Sequence, residues 1–105
     1  MDSRIIVPGG GDAVAVVVEI LSESDAARGW HYIVRVEREG GISEHRVHLA
    51  WVDHEHLCGG AVSPSRVVAE ALRVAAERGI AIPPSVDVST LRRREPGLRA
   101  LLAWG

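Results

Sequence analysis

The chain has 105 residues, of which 47% are hydrophobic and 25% charged, and its formal net charge is −2. That length and balance describe one globular domain, and the slight negative charge argues against a general nucleic-acid binder, whose domain is usually strongly basic. A single cysteine cannot form an internal disulfide, so packing must hold the fold, as expected of a soluble cytoplasmic protein.

A domain of this size buries roughly 65% of the surface that its unfolded chain exposes. Its core must be mainly aliphatic, because phenylalanine is absent and the aromatics are Trp30, Tyr32, Trp51 and Trp104. All twelve basic residues are arginine, which offers carboxylates and phosphates a planar, permanently charged fork. The apolar part of the N-terminus is too short for a signal peptide. No apolar run approaches the ~18 residues of a membrane span, so no membrane role is expected.

Residues 1–11 read as a flexible arm or an edge strand, broken by Pro8-Gly9-Gly10-Gly11. Residues 13–21 are rich in β-branched valine, and Val14, Val16, Val18 and Ile20 alternate onto one strand face. Ser22 to Gly29 reads as a polar turn. Residues 30–39 alternate again, with Trp30, Tyr32, Val34 and Val36 on one face and His31, Arg35 and Glu37 on the other. Gly40-Gly41 supplies a tight hairpin. Residues 42–52 form the third strand, with His45, Val47, Leu49 and Trp51 opposite Arg46, His48, Ala50 and Val52.

Ser63-Pro64 opens a helix over residues 65–78. Serine suits the cap, and proline suits the first position, where its missing N–H is not needed. Val67, Val68, Ala71, Leu72, Ala75 and Ala76 recur at helical spacing, Glu70, Arg73, Glu77 and Arg78 lie mostly off that face, and Gly79 ends the helix. Ile80 and Ile82 return to the core, and Pro83-Pro84 blocks a helical restart. Residues 85–105 read as a tail of two short helices, the first capped by Asp87 or Ser89 and the second opened by Pro96. The fold class is α+β: a meander of three antiparallel strands, or four with the N-terminal arm, then one long helix packed on a face and short C-terminal helices.

Chemistry, if present, belongs to Asp53-His54-Glu55-His56-Leu57-Cys58-Gly59-Gly60. Continued strand alternation past Val52 points His54, His56 and Cys58 the same way, as a set of zinc ligands. The spacing is neither a C-x-x-C pair nor the helical H-E-x-x-H pattern. A second chemistry makes Cys58 a nucleophile before a helix N-terminus, with His54 or His56 as base and the Gly59 and Gly60 amides as oxyanion hole. The structural alternative is a solvated strand end, a buried Cys58 and a Gly-Gly turn.

Arg92-Arg93-Arg94 is the densest positive patch and marks a contact for phosphate or an acidic partner, or else a solvated helix face beside Glu95. Trp104 either docks the tail or helps to form a dimer.

His56-Leu57-Cys58-Gly59-Gly60, Ser63-Pro64 and Val86-Asp87-Val88-Ser89-Thr90-Leu91 before Arg94-Glu95-Pro96 resemble a family of short, uncharacterised bacterial proteins. The likeness spans residues 51–98 and implies a structural role for the Gly-Gly turn but no activity. The order of sheet, helix and Ile82-Pro83-Pro84-Ser85 is similar to HicB-type antitoxins, which implies a regulator with a toxin partner. The leading expectation is a non-catalytic protein-interaction or regulatory module that binds a partner protein or itself, with no catalytic residues and no cofactor. The competing one is a zinc-binding or cysteine-dependent protein centred on His54, His56 and Cys58.

Overall fold

The computed structural model describes residues 4–7 and 16–102; Pro8-Gly9-Gly10-Gly11, Ala13 to Ala15 and Trp104 lie outside the described residues. Among the described residues five strands lie side by side in sequence order: β1 (Arg4–Val7), β2 (Val16–Ala26), β3 (Gly29–Arg38), β4 (Gly41–Ala50) and β5 (Ser85–Asp87). The first four form an antiparallel meander, and β5 adds in parallel to β4 through Val47 and its neighbours. The described residues also form four helices: α1 (Trp51–Cys58), α2 (Pro64–Glu77), α3 (Val88–Arg94) and α4 (Leu98–Leu101). The architecture is therefore α+β, with the N-terminal arm contributing the fourth antiparallel strand.

Alternation builds the sheet. Val16, Val18, Tyr32, Val34, Val36, Val47 and Leu49 are buried on one face, and α2 lies across it. The turn between β3 and β4 is Glu39-Gly40, one residue earlier than expected, with Gly40 at φ 97°, and Gly41 already pairs with Arg38. The segment from Ser22 to Ala26 is strand rather than turn, because β2 continues through a bulge between Ile20 and Ser22. The extra residue, Leu21, shifts the alternation, so Glu23 comes opposite Tyr32 and Asp25 opposite Trp30.

Helix α2 starts at Pro64 and ends where Gly79 takes φ 72°, as its sequence signals require. Ser63 makes no side-chain cap bond. Every residue from Val67 to Ala76 is buried, since the sheet covers one side of α2 and α1, α3 and α4 pack on others. Glu70 and Arg73 are thus inside rather than off the buried face. Arg73 forks onto Glu70 through two bonds of 3.1 Å, reaches Glu77 at 2.8 Å and donates to the Leu101 carbonyl at 3.3 Å, which ties α4 to α2. Ile80 and Ile82 return to the core, as their hydrophobicity implied.

Candidate functional site

The segment after β4 is helix, not continued strand. Trp51 N–H donates to the Arg28 carbonyl at 2.8 Å and turns the chain out of the sheet. Trp51 therefore does not share the buried face of Val47 and Leu49; it is 57% exposed at the head of α1, and Val52 is 71% exposed. Helical geometry separates the three residues expected as ligands. His54 and Cys58, four apart, lie on one side, while His56 lies on another and is exposed. His54 Nε2 donates to the Val62 carbonyl at 2.6 Å, and its ring stands edge-on to Trp30. The Cys58 thiol donates to the His54 carbonyl at 3.3 Å. Among the described residues no group of three or more His, Cys, Asp or Glu side chains gathers in a metal-binding arrangement.

The nucleophile arrangement loses its geometric premise in the same way. Cys58 closes α1 at its C-terminal end, where the helix dipole presents negative rather than positive partial charge. The Gly59 amide is spent on the Glu55 carbonyl at 2.7 Å, which caps α1, with Gly59 at φ 63°. The Gly-Gly pair is a helix stop and a turn.

The three consecutive arginines diverge, because successive positions of a helix lie about 100° apart. Arg92 points inward and pairs with Asp53, which is 2% exposed on α1. Arg94 donates to the Ala81 carbonyl at 3.2 Å. Arg93 is exposed and is held by Thr90 at 3.1 Å. Arg93 and Arg99 line a small groove between α1, α3 and α4, with His56 on its opposite wall. The one carboxylate that lines this groove, Glu95, is already engaged by Arg78 at 2.8 Å, and Asp53 nearby is engaged by Arg92. Val52 stands one helical turn before His56 on the same side of α1, so exposed apolar surface adjoins the basic groove.

A second polar cluster lies on the sheet face away from α2. His31 on β3 and His48 on β4 are directly paired, with ring centres 5.1 Å apart in an edge-to-face arrangement. His48 Nδ1 donates to Asp87 Oδ2 on β5 at 2.7 Å. Burial by itself would raise the Asp87 carboxyl, but bonds from His48 and from the Ser89 amide outweigh it and hold the group below its ordinary value. His31, Arg46, His48, Ser85 and Asp87 line one shallow cleft. The expected turn at Gly40-Gly41 would have set Ala50 opposite His31; the turn instead falls at Glu39-Gly40, which shifts the register by two residues and pairs His31 with His48. Asp87 was legible only as a helix cap, because nothing local announces the parallel β5.

His45 plays no part in either cluster. It is buried, donates from Nδ1 to the Pro83 carbonyl at 2.7 Å and meets Ser43 Oγ through Nε2 at 2.7 Å, pinning the Pro83-Pro84 segment to β4. Among the described residues no helix is long and apolar enough to cross a membrane. A scan against protein-family models, a search of curated proteins and a search of solved structures each found no match.

Proposed function

We propose that this domain is a non-catalytic protein-interaction module that binds an acidic segment of a partner protein in the groove between α1, α3 and α4. One observation carries the reading. Arg93, Arg99 and His56 line a single groove whose one lining carboxylate, Glu95, is already paired with Arg78. Its positive charge is therefore left for an incoming group. Arginine beside exposed apolar surface is the composition of protein-binding patches, and Val52 supplies the apolar part here. The exposed Val52 beside the arginines favours an acidic peptide with apolar residues over nucleic acid as the occupant.

The test is fluorescence anisotropy with a labelled peptide of glutamates and leucines, titrated with the protein at low ionic strength. Saturable binding that weakens with added salt, and that disappears in the Arg93→Glu/Arg99→Glu variant, is the expected result. Equal binding by that variant refutes the reading. Arg92 is left untouched in this experiment, because removing it would leave the buried charge of Asp53 without a partner.

A further inference from the structure

We propose that His31 and His48 form a chelate for a late first-row divalent cation, such as Zn²⁺ or Ni²⁺, on the open face of the sheet, with Asp87 as the outer group that orients His48. The proposal is independent of the groove between the helices.

Three observations converge on it. The first is spacing. A zinc–nitrogen bond of about 2.1 Å puts an imidazole ring centre about 3.2 Å from the ion, so two rings at the tetrahedral angle stand about 5.2 Å apart. The ring centres of His31 and His48 are 5.1 Å apart. The two residues are directly paired across antiparallel strands, so this spacing is reached with no movement of the backbone.

The second is protonation geometry. A carboxylate only accepts, so the 2.7 Å bond to Asp87 places a proton on His48 Nδ1. In the neutral ring this leaves the lone pair on Nε2. A histidine that ligates a metal almost always donates its other N–H to a carboxylate or carbonyl, which fixes the tautomer and strengthens the ligand. His48 already holds that arrangement.

The third is the rigidity of the frame. The three residues sit on three adjacent hydrogen-bonded strands, with Val47 and Val86 buried beneath them. His31 is exposed and makes no hydrogen bond, so its ring is free to turn toward an ion. Two imidazoles suit zinc, nickel and copper better than calcium or magnesium, and water completes the coordination. Arg46 lines the same cleft and opposes a cation, whereas Asp87 favours one.

The experiment is isothermal titration of the untagged protein with Zn²⁺ and with Ni²⁺. One saturable site is expected, retained in Cys58→Ser and lost in His31→Ala and in His48→Ala. Asp87→Asn should weaken binding by about tenfold or more, because it removes the orienting carboxylate. His31 is exposed, so its variant keeps the fold, which far-ultraviolet circular dichroism checks. Absence of a saturable site overturns the proposal, and so does binding that survives His31→Ala. Binding lost only in Cys58→Ser also overturns it and returns the site to α1.

Discussion

The carboxylate of Asp53 on α1 is buried, and the guanidinium of Arg92, 39 residues later on α3, reaches in to meet it. This pair joins two short helices that have little apolar surface of their own to bury. Only Asp53 and Leu57 of α1 are buried, and only Val88 and Leu91 of α3. Removing one partner leaves a charge without compensation, so Arg92→Ala should cost about 3 kcal/mol of stability. Replacing both partners by apolar residues of similar volume, as in Asp53→Leu/Arg92→Met, should be near neutral. Urea denaturation with an unchanged slope and a shifted midpoint checks both. Equal losses in the single and double variants would show that the pair itself, rather than the unpaired charge, sets the stability.

The bulge at Leu21 brings Glu23 opposite Tyr32, whose phenol donates to the carboxylate at 3.0 Å. Burial, then the hydrogen bond and the negative charge of Glu23, push the phenol well above its ordinary value of 10.0. The sign follows directly. The folded state holds the proton more tightly than the unfolded state, so this stabilisation is complete below pH 10.0 and is lost as pH rises toward the folded value. The chain has one tyrosine, which makes the titration readable by tyrosinate absorbance. The native protein should stay silent through pH 11 or so, whereas the urea-unfolded protein titrates near 10. In Tyr32→Phe the alkaline loss of stability should disappear. A native phenol that titrates like the unfolded one would contradict the burial of this ring.

β3, β4, α2 and β2 as far as its bulge were legible because each satisfies a local rule. Valine alternation carries β3 and β2 up to Ile20, Gly40 marks the hairpin though its turn begins one residue earlier than expected, and Pro64 with Gly79 brackets α2. Helix α1 was not legible for a physical reason. Its eight residues bury one aspartate and one leucine, so no apolar stripe marks it, and the residue that makes Asp53 tolerable inside lies on α3. The inward turn of Glu70 and Arg73 escaped notice for the same reason, since charges are expected outside unless their partners are known. In the candidate site, the pairing of His31 with His48 depends on a turn at Glu39-Gly40, whereas a turn at Gly40-Gly41 would set Ala50 opposite His31. The approach of Asp87 depends on a parallel strand of three residues, which no periodicity reveals. The groove of Arg93, Arg99 and His56 depends on how three short helices meet, and the run of arginines alone does not say which of them face solvent.

Neighbouring positions in the turn between β2 and β3 should respond in opposite directions. Gly29 is buried against β4, and a Cβ there would meet the Leu49 carbonyl oxygen at 2.2 Å. That atom is backbone in a paired strand and cannot give way, so Gly29→Ala should cost at least about 2 kcal/mol. Arg28 precedes it at φ 58°, a conformation that costs an ordinary L-residue roughly 1 kcal/mol. Asparagine tolerates that region, so Arg28→Asn should stabilise by about 0.5 kcal/mol. The carbonyl of residue 28 still accepts the Trp51 amide in that variant, which keeps the junction with α1 intact. Thermal midpoints of the two variants should fall on either side of the parent, and a loss of stability in Arg28→Asn would show that the arginine side chain contributes more than its backbone strain removes.

Asp87 has two structural roles that a single substitution separates. One carboxylate oxygen accepts the Ser89 amide at 3.0 Å and caps α3, and the other accepts from His48 at 2.7 Å. Asparagine is as good an N-cap as aspartate, whereas alanine is not, so Asp87→Ala should lose about 1 kcal/mol more than Asp87→Asn through the cap alone. The acid dependence belongs to the charge. The folded carboxyl lies below its ordinary value of 3.8, so its contribution is complete above that pH and is lost as pH falls through the lower folded value. The stability advantage of the parent over Asp87→Asn should therefore be full near neutrality and shrink below about pH 4. Denaturation midpoints measured across that window check it, and an advantage that persists undiminished at pH 2 would mean that the bonds from His48 and Ser89 do not depend on the charge.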